Sequence, residues 1–366
     1  MKADPKTSST LKHIGQALGA AALGALLAQA VPARAESYPN LQEADLTVKD
    51  FHLANGETLP EAKFHYTTLG TAERNAQGQI TNAVLMLHGT SGTGKNFLAP
   101  SLAGELFGKG QPLDAGKYFI ILPDGLGRGG STKPSDGMKG HFPHYGYKDV
   151  VEGQYRVVTE GLGIKHLKLV LGTSMGGMQV WMWGEAHPDM MDALMPVASQ
   201  PIAIAGRNML WRRLVIESVR ADPEWHNGDY ETEPALYSHF YEIAAIMQNS
   251  APSLQKEAPT RAAANDYYDK AIGQIAKLDA NDLLYWFESS YDYDPSGDIE
   301  KIKAKVVAVN FGDDLLNPPE LGVMEAAMKR LKHGRYVLVP GSDKTKGHQT
   351  LALASVWGPY VKDALK

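Results

Sequence analysis

The chain has 366 residues, 43% of them hydrophobic and 21% charged, with a formal net charge of −5. That is a globular composition, long enough for one large domain or two modest ones, and it excludes collagen, coiled coil and a wholly disordered chain. The absence of cysteine removes disulfides, thiolate nucleophiles and cysteine-held zinc or iron–sulfur sites, and the negative balance gives no electrostatic reason to bind nucleic acid or anionic lipid.

The first 35 residues differ from the rest. Lys2, Lys6 and Lys12 precede an Ala/Leu/Gly stretch, and Ala33-Arg34-Ala35 closes it with small side chains, the layout of a secretory leader cleaved after Ala35. The apolar run over 14–31, broken by Gln16 and Gln29, is shorter than the roughly 20 residues a membrane span prefers. A periplasmic or secreted protein is therefore expected, with no stable membrane insertion once the leader is removed.

Next, 46–53 and 62–68 flank the turn-rich Ala54-Asn55-Gly56 and predict an opening β-hairpin. Apolar runs at 83–87, 118–122 and 167–171, each followed by a glycine-bearing turn, and later ones at 305–309 and 335–339, have the length and composition of buried strands. The segments 155–162, 175–186 and 319–331 have helical spacing. Strands alternating with helices predict an α/β fold, a mostly parallel central sheet flanked by helices. Over 200–295 the alternation gives way to a helix-leaning, aromatic-rich stretch containing Trp211, Trp225, Tyr285 and Trp286, read as an inserted helical cap. The expected organisation is a leader over 1–35, the first part of the core over 36–199, the cap over 200–295 and the second part of the core over 296–366.

Three glycine motifs compete for attention. Residues 89–96 read GTSGTGKN, but Asn96 stands where a phosphate-binding loop needs a hydroxyl for magnesium. Residues 125–130 read GLGRGG, but Ser-Thr-Lys-Pro follows where a dinucleotide fold needs a helix N-terminus; a surface loop is the better reading. The third is a strand, then Gly172-Thr173-Ser174-Met175-Gly176-Gly177, then a helix. A tight turn with small neighbours lifts a serine hydroxyl clear of the sheet and aims the helix N-terminus at a developing oxyanion. The serine needs a base and the base a carboxylate, in the chain order Ser, Asp, His. Asp313 and Asp314 follow the run at 305–309 and cannot be separated by spacing, and His348 follows the last predicted strand. The His141 and His144 pair, spaced across Pro143, reads as a surface turn rather than a metal site. No metal or organic cofactor is called for.

At Leu171-Gly172-Thr173-Ser174-Met175-Gly176-Gly177-Met178-Gln179, at Asp149-Val150-Val151-Glu152-Gly153-Gln154 and at Leu87-His88-Gly89-Thr90-Ser91-Gly92, the chain resembles the homoserine O-acetyltransferase-like group of α/β hydrolases. The resemblance continues through Gly129-Gly130-Ser131-Thr132-Lys133-Pro134, Ala221-Asp222-Pro223-Glu224-Trp225 and the Asp-x-Leu-x-x-Pro pattern from Asp313 to Pro318. It implies the α/β-hydrolase fold, Ser174 as nucleophile, His348 as base, Asp313 rather than Asp314 as the acid, and the backbone N–H groups of Thr90 and Met175 as oxyanion hole. The family carries Gly-His-Asp where this chain has Gly347-His348-Gln349, and Gln349 supplies no negative charge for an amino-acid substrate. Its cap arginine has no partner in register, which leaves Arg212 and Arg213 as substrate-binding candidates together with Gln349.

The expected function is an exported serine esterase that cleaves a carboxylic ester or related acyl compound through an acyl-enzyme on Ser174. One alternative delivers the acyl group to an alcohol such as homoserine, for which an exported enzyme would need a donor other than cytoplasmic acetyl-CoA. A second is a ligand-binding protein with an unused triad. The expected partner is a small-molecule acyl substrate, without nucleic acid; a homodimer is admitted as an assembly.

Overall fold

The computed structural model describes residues 38–366; the leader expected over 1–35 lies outside them. The strands are β1 Gln42–His52, β2 Thr58–Leu69, β3 Ala83–Leu87, β4 Phe119–Pro123, β5 Leu167–Thr173, β6 Met191–Val197, β7 Lys305–Phe311 and β8 Gly334–Val339. They form one sheet in the order β1-β2-β4-β3-β5-β6-β7-β8. The first two strands are the expected hairpin: β1 starts four residues earlier and ends one earlier than 46–53, β2 extends beyond 62–68 at both ends, and Gly56 with φ of 91° makes the turn. β2 continues antiparallel onto β4, and every later pairing is parallel.

Two core layers explain the unbroken apolar runs. Leu85, Ile121, Val170, Leu194 and Val306 point to one layer, while Val84, Ile120, Leu169, Ala193 and Val307 point to the other. A strand covered on both faces has no solvent side, so its sequence need not alternate. The sequence reading passed over β6, MDALMPV, which is poor in β-branched residues and contains a proline. Its pairs with β7 jump from Leu194 to Val197, past Pro196.

The core helices are α1 Pro100–Leu106, α2 Tyr147–Arg156 and α3 Met175–Ala186. α2 begins eight positions before the helical spacing suggested, because Asp149 accepts the Gly146 N–H at 2.7 Å and caps the first turn. Between β6 and β7 lie α4 Gly206–Arg220, α5 Leu236–Tyr241, α6 Ile243–Gln248, α7 Ala251–Glu257, α8 Arg261–Ile275 and α9 Ala280–Glu288. Their apolar side chains, among them Trp211, Val215, Tyr237, Trp286 and Phe287, form a cluster of their own. The chain closes with α10 Val323–Met328, α11 Ala354–Trp357 and α12 Val361–Leu365. α10 is shorter than the expected 319–331 helix because Gly322, at φ of 65°, breaks it from a preceding 3₁₀ turn.

Candidate active site

Ser174 stands between β5 and α3 with φ of 54° and ψ of −115°, a backbone conformation that costs a non-glycine residue about 1–3 kcal/mol. Its surroundings hold it there. A Cβ on Gly172 would collide with the Gly176 carbonyl, and one on Gly176 with the Leu87 carbonyl of the neighbouring strand, so the turn closes only with glycine at both positions. The Ser174 N–H donates to the Val197 carbonyl at 2.9 Å, tying the turn to β6.

The hydroxyl lies 2.7 Å from His348 Nε2, and His348 Nδ1 lies 2.8 Å from Asp314 Oδ2. With the imidazole proton on Nδ1 donated to the carboxylate, Nε2 is free to accept from Ser174. Asp314 is buried and receives the Leu316 N–H at 2.8 Å, the Asn317 N–H at 3.3 Å and the Asn317 amide at 2.9 Å. Burial alone would raise its pKa, but the His348 ring, the Asn317 amide and the Leu316 N–H outweigh that and hold it below the usual carboxylate value. Asn317 also donates to the Ala198 carbonyl at 2.9 Å, which ties Asp314 to the β6 end.

This corrects the expectation of Asp313 as the acid. The Asp313 carboxylate turns instead to the loop that carries the histidine, accepting the Thr345 hydroxyl at 2.8 Å and the Gly347 N–H at 3.1 Å. It braces that loop and makes no hydrogen bond to the ring. The reason is local: Asp314 opens an Asx-type turn over Leu316 and Asn317, which aims its side chain back at the sheet ends.

The serine and histidine open onto a cavity of about 280 Å³ lined by Thr90, Trp211, Arg212, Leu316, Lys346 and Gln349, among others. Arg212 is only 3% exposed and donates to Asn208 Oδ1 at 3.0 Å and Ser290 Oγ at 3.2 Å, both neutral acceptors. Arg213, one position on, does not face the cavity: it is exposed and pairs with Glu217 at 2.7 Å, because successive helical residues point about 100° apart. Gln349 lines the cavity with its amide donated to Gln248 Oε1. Lys346 pairs with Glu257 at 3.1 Å, so the histidine loop is fastened to α6 and α7 on both sides of His348. Spacing left Asp313 and Asp314 open and the resemblance favoured Asp313, whereas Asp314 meets His348; Asn317, Lys346 and Gln248 were not anticipated. Only Asn317, three residues after an aspartate, left a local signal.

Met175 begins α3 beside Ser174, and Thr90 sits in a turn beside it: a Cβ on Gly89 would come within 3.6 Å of Ser174 Cβ. Of the two histidines set aside above, His141 meets Asp229 at 3.0 Å and His144 meets Glu288 at 3.2 Å, separate surface pairs. Among the described residues no cluster of three His, Asp or Glu could hold a metal ion, and no helix is long and apolar enough to cross a membrane.

Residues 82–343 match the α/β hydrolase fold family. A probable acyltransferase of Methanothermobacter thermautotrophicus is 28% identical over 282 residues, 76% of this chain and 85% of the relative. The homoserine O-acetyltransferase of Moorella thermoacetica is 36% identical over 200 residues, 49% of this chain and 50% of that enzyme, so the alignment spans about half of its length. Among solved structures, an acetylester hydrolase from Corynebacterium glutamicum superposes with a TM-score of 0.76 at 22% identity, over 88% of this chain and 96% of that one. Homoserine O-acetyltransferase from Bacillus anthracis gives 0.77 at 20%, over 89% and 98%. These last two likenesses speak to the fold. With a family match across most of its length, the chain belongs to the α/β hydrolase fold family, and within it is similar to homoserine O-acetyltransferases.

Proposed function

We propose that the protein is an exported esterase that hydrolyses short-chain carboxylic esters through an acyl-enzyme on Ser174. The observation that carries the reading is the hydrogen-bonded line from Ser174 Oγ through His348 to Asp314, 2.7 and 2.8 Å long, opening onto the cavity. Ser174 Oγ attacks the ester carbonyl while His348 Nε2 takes its proton, and the carbonyl oxygen becomes an oxyanion facing the N–H groups of Thr90 and Met175. When the tetrahedral centre collapses, the alkoxide leaves with the proton from Nε2. Water then attacks the acyl-enzyme, gives a proton to the same nitrogen, and the acid departs as Ser174 regains its hydrogen. Asp314 keeps the imidazole in the required tautomer and stabilises the imidazolium.

The cavity, about 280 Å³, lies just below the usual range of about 300–1,000 Å³ for ligand sites, which supports a small acyl group. The layout of residues 1–35 supports action after export, where water is the abundant acceptor.

One observation favours a second reading, acyl transfer to an alcohol bearing a carboxylate: Arg212 presents a buried guanidinium to the cavity while its hydrogen bonds here go to neutral groups. Turnover of p-nitrophenyl acetate with and without L-homoserine, beside a Ser174→Ala control, separates the two. Acetate as sole product supports hydrolysis, O-acetylhomoserine supports transfer, and undiminished turnover by Ser174→Ala removes both.

A further inference from the structure

The two glycine-rich segments that do not read as nucleotide-binding loops, 89–96 and 125–130, pack against each other near Ser174. We propose that Arg128, in the second of them, is a positioning residue for the oxyanion hole, relaying its charge through two peptide groups to the Thr90 N–H. The inference rests on the acyl-enzyme reading above and deepens the same site.

Arg128 is 7% exposed, and its guanidinium carbon lies 3.0 Å from the centroid of the Trp286 ring on α9. The indole N–H of that tryptophan donates to the Gly127 carbonyl, which anchors the stack. The guanidinium donates from Nη2 to the Ser91 carbonyl at 2.7 Å and from Nε to the Gly92 carbonyl at 3.0 Å. The Ser91 carbonyl shares a peptide group with the Gly92 N–H, which donates to the Gly89 carbonyl at 2.9 Å. The Gly89 carbonyl in turn shares a peptide group with the Thr90 N–H. A cation therefore stands at one end of a chain of two hydrogen-bonded peptides whose other end is a proposed oxyanion donor. Such a chain fixes the orientation of each peptide plane, and the charge polarises both so that the terminal N–H donates more strongly.

Other contacts serve the same loop. Asp124 accepts the Gly94 N–H at 2.7 Å and the Gly130 N–H at 2.8 Å, joining the two segments. His88 Nδ1 donates to the Gly89 carbonyl at 2.8 Å, and its Nε2 accepts the Gly125 N–H at 3.0 Å. Gly127 and Gly129, with φ of 80° and 52°, flank Arg128, and a Cβ on either would strike the Tyr145 hydroxyl or the Asp124 carboxylate. The glycines of GLGRGG let the chain thread an arginine under the first loop; no phosphate is needed to explain them.

The test compares wild type, Arg128→Met and Arg128→Lys in the full chain with p-nitrophenyl acetate, together with inhibition by an alkylboronic acid, whose tetrahedral serine adduct places an oxygen in the hole. Loss of a single oxyanion donor costs about 100- to 1,000-fold, so a displaced and less polarised one should cost Arg128→Met about 10- to 100-fold in kcat. KM should change little, and the boronate inhibition constant should rise by the same factor as kcat/KM falls. Arg128→Lys, a point charge that reaches one carbonyl, should recover about threefold or more over Arg128→Met. Folded Arg128→Met with wild-type kcat, or a fall in kcat with an unchanged boronate constant, overturns the proposal. If Arg128→Met does not fold, Arg128→Lys is read against wild type by the same two ratios, and equality overturns it. Ser174→Ala run in parallel separates the failures: if it stays active the acyl-enzyme reading falls, and if it is dead while the Arg128 variants match wild type only the relay falls.

Discussion

Replacing Asp314 by Asn tests the assignment of the acid against its neighbour. Asp314 Oδ1 accepts the Leu316 and Asn317 N–H groups, while Oδ2 accepts from His348 Nδ1. An asparagine keeps its carbonyl oxygen on the two backbone donors, so its amide nitrogen falls at the Oδ2 position. A donor then faces Nδ1, the ring proton moves to Nε2, and Nε2 can no longer accept from Ser174, 2.7 Å away. A wrong tautomer of this kind costs about 10⁴ in kcat where it has been measured in a serine triad, or about 5 kcal/mol of transition-state stabilisation. Asp313→Asn should behave otherwise. Its carbonyl oxygen can still accept the Thr345 hydroxyl and the Gly347 N–H, so kcat should stay within about threefold of wild type, as expected when a hydrogen-bonding role is retained. The assay is steady-state hydrolysis of p-nitrophenyl acetate by all three proteins, with far-UV circular dichroism to establish folding. A larger loss from Asp313→Asn than from Asp314→Asn would refute the assignment.

Three further outcomes follow from the same geometry. Gly176→Ala should lose about 1–3 kcal/mol of stability, together with most activity, because the new methyl meets the Leu87 carbonyl; a denaturant midpoint equal to wild type would contradict the packing. Arg212→Met should leave p-nitrophenyl acetate turnover within about threefold but weaken an acceptor or ester that carries a carboxylate by about tenfold or more in KM, which steady-state kinetics with neutral and anionic substrates would read. Burial first, then the nearby Asp298 carboxylate, pushes the Glu185 carboxyl up from 4.5 to about 8. The unfolded chain releases that proton near the ordinary value, so stability is full below it and declines as pH rises from about 4.5 to about 8. Glu185→Gln should be more stable than wild type at pH 8 by about 1–2 kcal/mol, after discounting for solvent screening, with the difference closing near pH 4.5, as urea unfolding at the two pH values would measure.

Ser174 and His348 were legible because their chemistry demands a local pattern: a strand, a glycine-flanked turn and a helix for one, a place after the last strand for the other. The parallel strands were legible as unbroken apolar runs in β3 and β5, and illegible in β6, which is as buried as β5 but carries a proline and few β-branched residues, so its pairing partners override a weak local preference. Asp313 and Asp314 share one strand end, and which of them reaches the histidine depends on the turn made by the residues that follow. The family pattern favoured the wrong one, whereas the Asx turn over Asn317 decides for the other. Arg212 and Arg213 differ only in helical phase, which needs the helix placed before either can be aimed. Arg128 stood within a motif read as a loop, and its partners lie 36 and 37 positions away, beyond any local signal.

The acyl-enzyme itself is the central claim. Wild type should be mixed with p-nitrophenyl acetate, quenched in acid within the p-nitrophenol burst, digested and analysed by mass spectrometry, with Ser174→Ala beside it. One acetyl group on the peptide containing Ser174, absent from the variant, is the expected result. Steady turnover by wild type without that adduct, or comparable turnover by Ser174→Ala, would contradict the account.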